Sequence, residues 1–293
     1  MTWSIRPPTL RDVPAILNLV SAPAGEPDWS IEEVVATLTA PDIDSWLAVA
    51  PDGTVVAWAY LHDDRVEVYG DARRPLLEPA IARAIERARA AGLTEVTLTA
   101  VASEPAQVEV LESLDFAFVR RHARMRRALD GAEPPAASVA TIRPLRPDAD
   151  LPAFHFVLAE ALPEHVPPDF EAWRDGIPDG IAASWDEWFV AELDGAIVGV
   201  LQSSDQGIAD DEGWVRNLAV LTPYRRKGIG RALLATAFAA YLAKGRRWVG
   251  LGVDLSNPTG AHRLYASMGL VATFEAGVYA RRISLGAARA PHP

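Results

Sequence analysis

The stretch Asn217 to Arg231 reads N-L-A-V-L-T-P-Y-R-R-K-G-I-G-R. Leu218 and Val220 are spaced as one face of a strand, and Val215 extends the run backwards. Pro223 has no N–H to give a ladder, so the strand ends there. Four cations follow within seven residues, Arg225, Arg226, Lys227 and Arg231, and they surround Gly228 and Gly230. Beyond Gly230 the apolar residues Ala232, Leu233, Leu234, Ala237, Phe238 and Tyr241 recur at helical spacing. A strand, a basic glycine loop and a helix start, in that order, make an anion site. Glycine lets successive N–H groups turn towards one centre, and the helix terminus adds partial positive charge. The spacing is neither G-x-x-x-x-G-K-[ST] nor G-x-G-x-x-G. A basic surface loop ahead of a helix is the plainer alternative.

Composition bounds the rest. A length of 293 residues suits two domains, and 49% hydrophobic with 23% charged residues is ordinary for a globular protein. The net charge of −11 argues against a nucleic-acid partner and makes the basic loop stand out locally. The absence of cysteine excludes disulfides, thiolate metal sites and a cysteine nucleophile. The six histidines show no H-x-x-x-H or H-x-H spacing, so no metal is expected. Met1 to Pro7 lacks the order of a signal peptide, and no run approaches the roughly 18 apolar residues of a membrane span. The expected address is the cytoplasm, with no membrane partner.

Read in order, the chain says the same thing twice. Ser4 to Pro7 is a short strand, Leu10 to Val20 a helix, and Ile31 to Leu38 a second helix with Ser30 and Glu33 as a capping box. Trp46 to Val49 and Val55 to Leu61 form a hairpin about Pro51 to Thr54. Strand Arg65 to Tyr69, a helix from Leu76 to Ala91 stopped by Gly92, strand Glu95 to Val101, helix Ala106 to Leu114, and one or two strands over Phe116 to Leu129 complete the first half. Asp130 to Ser138 has linker composition. Then Thr141-Ile142-Arg143-Pro144 echoes Ser4-Ile5-Arg6-Pro7. Helices are predicted at Asp150 to Ala161 and Asp169 to Arg174, and a hairpin about Asp194-Gly195. The quoted strand and helix (Gly213 to Val220, Ile229 to Lys244), strand Trp248 to Val253, helix Pro258 to Met268, and strands Leu270 to Phe274 and Val278 to Ile283 follow. Gly92 and Gly245, Val96 and Val249, Glu104 and Asn257 correspond at one constant offset. This is a repeat of a whole domain. The fold class is α/β (α+β), with domains at 1–130 and 140–285, a linker at 131–139 and a disordered tail at 286–293.

At this point the second half resembles the GNAT acetyltransferase family. The family's [QR]-x-x-G-x-[GA] stands here as Arg225-Arg226-Lys227-Gly228-Ile229-Gly230. Its second signature, N-x-x-x-A-x-x-x-Y-x-x-x-G-[FL], stands as Asn257 to Leu270, with Ala261, Tyr265 and Gly269 in register. The layout is similar to the tandem-domain, mycothiol synthase-like group. The resemblance implies two GNAT folds, each a mixed, mostly antiparallel twisted sheet flanked by helices, and acetyl-CoA as cosubstrate. It places the pyrophosphate on the amides of Arg226 to Gly230, with Arg225, Arg226, Lys227 or Arg231 at the remaining phosphate. It lays the pantetheine along Leu218, Ala219 and Val220, with N–H groups near Ala219 and Val220 facing the oxyanion. Tyr265 is then the general acid for the departing thiolate, against the plainer reading of a packing tyrosine. Asn257 braces the pantetheine or caps the following helix.

The base is not supplied by the resemblance, because Trp214 stands where many relatives carry glutamate. Asp211 and Glu212 are the tentative bases, with Glu160, Glu164, His165 and Asp254 as further candidates. In the first half, Pro75 and Leu77 replace Gly228 and Gly230, and the tyrosine counterpart is Leu111 or Glu112. That half is expected to be non-catalytic. The expected function is acetyl transfer to a primary amine of a small molecule, a cationic one on the evidence of the acidic loop Asp205 to Glu212, in a ternary complex. The protein is expected to be a monomer or homodimer. The alternatives are an acyl-CoA-binding sensor without chemistry and a protein N-terminal acetyltransferase.

Overall fold

Local signals place most elements. Ser30 Oγ accepts the Glu33 N–H and the Glu33 carboxylate accepts the Ser30 N–H, at 3.1 and 2.7 Å, which closes the predicted capping box. Asp194 and Gly195 both take positive φ, 52° and 80°, as a two-residue hairpin turn requires. Gly92 and Gly245 take φ of 76° and 80° where their helices stop. The computed structural model describes residues 4–20, 29–62, 65–70, 74–101, 105–131, 136–163, 165–177 and 185–283. The expectations for Glu164, Glu104, Arg73 and the tail 286–293 fall outside the described residues.

Two compact units emerge. Unit 1 contains strands β1 (Ser4–Arg6), β2 (Ile43–Val49), β3 (Val55–His62), β4 (Arg65–Gly70) and β5 (Glu95–Val101). Its helices are α1 (Val13–Val20), α2 (Ile31–Thr39), α3 (Arg74–Ala90) and α4 (Pro105–Ser113). Unit 2 contains β7 (Thr141–Pro144), β8 (Phe189–Leu193), β9 (Ala196–Ser204), β10 (Glu212–Val220) and β11 (Trp248–Asp254), apart from the last residue of β11. Its helices are α5 (Pro147–Ala161), α6 (Phe170–Asp175), α7 (Ile229–Ala243) and α8 (Ala261–Ser267). In each unit the neighbouring strands run antiparallel except for one parallel pair, β4 with β5 and β10 with β11, among the registers resolved.

Each unit completes its sheet with a strand from the other half of the chain. The two strands expected at 270–283 form one strand, β12 (Val271–Arg282), and Ala276–Arg282 pair with Val101–Glu95 of β5. Tyr279 and Ile283 then enter the unit 1 core beside Ile81, Leu98 and Leu111. Phe116 to Leu129 likewise gives one strand, β6 (Ala117–Ala128), whose residues from Arg124 onward belong to unit 2. The compact units therefore differ from the segments 1–130 and 140–285 drawn on the sequence.

In unit 2 the sheet is covered on both faces. On one face Phe154, Val157 and Leu158 of α5 pack on Trp188, Val190, Val200 and Ala219. On the other, Tyr241 of α7 lies so close to β10 that a Cβ at Gly213 would stand 2.3 Å from its ring. The Tyr241 hydroxyl shares a 2.6 Å hydrogen bond with Ser203 Oγ on β9. Glu187, fully buried, holds Arg246 at 2.6 Å and Lys244 at 3.0 Å just past the end of α7.

The echoing Arg-Pro strands carry one device twice. Arg6 pairs with Asp12 in unit 1, and Arg143 pairs with Asp150 in unit 2, both at 2.6 Å. Asp150 also accepts from the Arg146 N–H, at 2.8 Å, and from the Arg146 guanidinium. The Arg143 hydrogen bonds hold its carboxyl well below the usual aspartate range, against the opposing effect of burial. A depressed folded-state pKa contributes stability that is present above the unfolded value near 4 and is lost as pH falls further. Asp150→Asn should cost about 3 kcal/mol at neutral pH, since it leaves Arg143 without its main partner. It should also flatten the loss of stability below about pH 4. Denaturant unfolding across pH checks both.

Candidate active site

The site begins where two strands part. β10 pairs in parallel with β11 from Glu212↔Trp248 to Val215↔Leu251 and goes no further. On its other side β10 stays with β9 as far as Val220↔Gly199, after a bulge between Val215 and Asn217. The residues beyond Val215 have therefore lost one neighbour and form one arm of a fork. Their direction follows from the ladder. The Leu221 N–H donates to the Val198 carbonyl at 3.0 Å, so by alternation Ala219 also spends its backbone groups on β9. Leu218 and Val220 aim theirs away from β9, into the fork. The Val220 carbonyl is capped by Arg225 Nε at 2.9 Å. What remains to receive an extended ligand is Leu218 N–H, Leu218 C=O and Val220 N–H. The expected role of the Ala219 N–H is thereby corrected, and its side chain lies in the α5 core.

Past Pro223 the chain makes one tight turn, Thr222–Tyr224, and then two left-handed steps, Arg226 at φ 60° and Gly228 at φ 82°. Gly228 is required twice over. Its φ disfavours a side chain, and a Cβ there would stand 2.5 Å from the Ala137 carbonyl oxygen. The Ala232 N–H, donating to Gly228 C=O at 3.0 Å, is the first N–H of α7 to find a partner in its own turn. The N–H groups of Ile229, Gly230 and Arg231 are left for an anion. Gly230 lets α8 close in, since a Cβ there would meet Leu264 at 3.2 Å.

The four cations of the loop divide by occupation. Arg225 is committed to Val220. Arg231 reaches Ser267 Oγ and the Met268 sulfur at the end of α8. Lys227 Nζ stands over the Tyr224 ring at 5.4 Å, and Arg226 has no partner among the described residues. The charges free to meet phosphate are Arg226 and Lys227.

Tyr265, on α8, has its residue 7% exposed, and its hydroxyl makes no hydrogen bond among the described residues. Burial pushes its pKa up to about 12. The phenol is thus a neutral donor with no resident acceptor. Tyr241, by contrast, is fully committed to Ser203. Asn257 does not cap α8, whose N-cap is Gly260; it closes a turn ahead of it, where Oδ1 accepts the Thr259 N–H at 2.9 Å and its carbonyl accepts the Gly260 N–H at 3.1 Å. That turn delays α8 to Ala261, three residues after the predicted start at Pro258.

Both tentative bases are engaged elsewhere. The Glu212 side chain is fully buried at the paired end of β10, where Arg124 and Arg126 of β6 hold it at 2.8 and 3.1 Å. It is placed to lock the strand, not to take a proton from an incoming amine. Asp211 pairs with Arg247 at 2.8 Å. Trp214 packs beneath Arg124, 5.4 Å from ring to guanidinium. With Asp211 and Glu212 neutralised, the acidic loop loses much of its support for a cationic acceptor. Of the further candidates, Glu160 and His165 are exposed to solvent, and Asp254 accepts the Ser256 N–H at 2.7 Å. Arg216 stands at the bulge, one residue before the stretch Asn217 to Arg231 that carries the sequence signal.

Unit 1 keeps a fork as well, since β4 and β5 pair only at Arg65↔Thr97 and Val66↔Leu98. Of the two counterparts of the tyrosine, Leu111 is fully buried in the core of unit 1 and Glu112 is exposed.

Residues 184–271 match the family model of the acetyltransferase (GNAT) domain. No curated protein sequence matches the chain. Among solved structures, a GCN5-related N-acetyltransferase from Sphaerobacter thermophilus is 28% identical, with a TM-score of 0.81 over 96% of each chain. A tandem GNAT protein from the clavulanic acid biosynthesis pathway shares the fold at 16% identity, with a TM-score of 0.69 over 97% of this chain and 99% of that one. A GNAT-family acetyltransferase from Colwellia psychrerythraea does so at 12% identity and a TM-score of 0.59, over 96% and 100%. The fork and the glycine loop lie within residues 184–271, the stretch that matches a GNAT acetyltransferase domain, of a family that transfers acyl groups from acyl-CoA.

Proposed function

We propose that unit 2 transfers the acetyl group of acetyl-CoA to a primary amine by direct attack in a ternary complex. The observation that carries this reading is the fork, with Leu218 and Val220 aiming unpaired backbone groups into it and a free phenol on the neighbouring helix. Leu218 and Val220 would hold the pantetheine as an added strand. The amides from Gly228 onward, with Arg226 and Lys227, would hold its phosphates. The amine nitrogen attacks the thioester carbon and the C–S bond breaks. Tyr265 gives its proton to the departing thiolate, and a fork N–H stabilises the oxyanion formed on the way. The surplus amine proton leaves through water, since neither Glu212 nor Asp211 is free to take it. The Gly228 turn suits this donor, because its positive φ of 82° brings the chain into the start of α7 with the N–H groups of Ile229, Gly230 and Arg231 leading.

The missing carboxylate favours a second reading, an acyl-CoA-binding module without chemistry. Tyr265→Phe separates the two. For an enzyme it should lower kcat by about a hundredfold while leaving the affinity for CoA unchanged. Turnover that survives the substitution would remove Tyr265 from the mechanism.

The pH dependence adds a further test. With the Tyr265 pKa pushed up to about 12, the proton stays in place through the working range. The wild-type kcat should therefore show no falling limb below about pH 10. A limb near pH 8 would contradict the assignment.

Gly228→Ala forces a left-handed alanine against the Ala137 carbonyl. It should raise the KM for acetyl-CoA about tenfold, from the 1–2 kcal/mol that a left-handed residue costs. Steady-state kinetics with acetyl-CoA as the varied substrate measures this.

A further inference from the structure

Unit 2 holds most of its strand arginines firmly. Arg124 and Arg126 pair with Glu212, Arg127 donates to the Met268 carbonyl at 2.6 Å, and Arg143 pairs with Asp150. Arg216 on β10 differs. It makes no ion pair, hydrogen bond or ring contact among the described residues, in a chain whose net charge is −11. Its residue is open to solvent, yet desolvation lowers the pKa of its guanidinium from the ordinary arginine value.

Its position in the strand is specific. The last β10–β11 pair is Val215↔Leu251, and Arg216 is the next residue. It is also the residue inserted by the bulge, between Val215 opposite Ser203 and Asn217 opposite Gln202. It stands at the crotch of the fork. From there to Val220 the strand climbs roughly 13 Å, at about 3.3 Å per residue, before the phosphate loop begins. The charged groups of a donor held by Gly228 and Arg226 lie at the far end of that climb. The acyl end that would reach the crotch is uncharged. The unpaired cation therefore has no partner in the donor.

We propose that Arg216 is a specificity-determining residue that receives a carboxylate of the acceptor, so that the acceptor is an amino-carboxylate and not a polyamine. The proposal rests on the placement of the acyl group in the fork given above. A guanidinium meets a carboxylate with two parallel hydrogen bonds, which fixes orientation as well as adding affinity. A fixed positive charge also disfavours the ammonium form of an amine brought close to it. That makes a neutral nucleophile easier to reach in a site without a free carboxylate base.

The test compares matched pairs on the CoA-saturated protein: glycine and glycinamide, β-alanine and β-alaninamide, with aminomethylphosphonate as the other anion. Binding is read by calorimetry, and turnover with acetyl-CoA is followed beside it. The wild type should prefer each acid over its amide by tenfold or more in binding, and the phosphonate should be the weaker anion. Arg216→Gln should abolish the preference while leaving CoA affinity and melting temperature unchanged, and Arg216→Lys should restore part of it. Equal binding of acid and amide, or a preference that survives Arg216→Gln, would overturn the proposal, as would tighter binding of phosphonate than of carboxylate. Absence of any acid preference in the wild type, with amine turnover intact, rejects the Arg216 subsite alone. An intact preference without acetylation of any amine rejects the reaction and keeps the subsite.

Discussion

Backbone N–H and C=O groups must be paired, and β10 leaves some of them open. Once β11 departs after Val215↔Leu251, Leu218 and Val220 point donors and an acceptor at nothing in their own sheet. Such groups are costly unless water or a ligand meets them. The paired end is locked so that this opening has a defined place. Glu212 is clamped by Arg124 and Arg126, Gly213 admits the Tyr241 ring, and Gly250 leaves room for the Glu212 carboxylate. A side chain at either glycine would force β10 away from its support.

The same locking explains where the chemistry is not. The acids nearest the fork in sequence are consumed in holding it. Glu212 is the anchor of the strand, and Asp211 faces Arg247 at the surface. On the function proposed above, the proton donor would be the buried Tyr265 phenol, with its raised pKa, and neither Glu212 nor Asp211 would be free for the other proton. Such a site would work on an amine that is already partly neutral, and Arg216 would push in that direction.

Much of the fold was legible because its signals are local. Ser30 with Glu33, Asp194-Gly195, Gly92 and Gly245 each act within a few residues of themselves, and the two Arg-Pro strands announced the repeat. The glycine turn ahead of α7 was legible for the same reason: Gly228 and Gly230 have meaning only before a helix start. The strand exchange was not legible. The alternation of Val278, Ala280 and Arg282 says that a strand exists there and nothing about which strand it will pair with. The fate of Glu212 was hidden likewise, since its partners Arg124 and Arg126 lie far away in sequence. The alternation of Arg124 and Arg126 along one face of β6 was the available signal. The division between Ala219 and its neighbours needed the ladder register, which a sequence does not print.

The central claim is that the fork in unit 2 takes the donor as an added strand. Hydrogen exchange with and without acetyl-CoA measures this directly. The account predicts new protection at the Leu218 and Val220 amides and at Gly228 to Gly230, with little change at Ala219, which is already bonded to β9. Protection confined to unit 1, or none along β10, would contradict it.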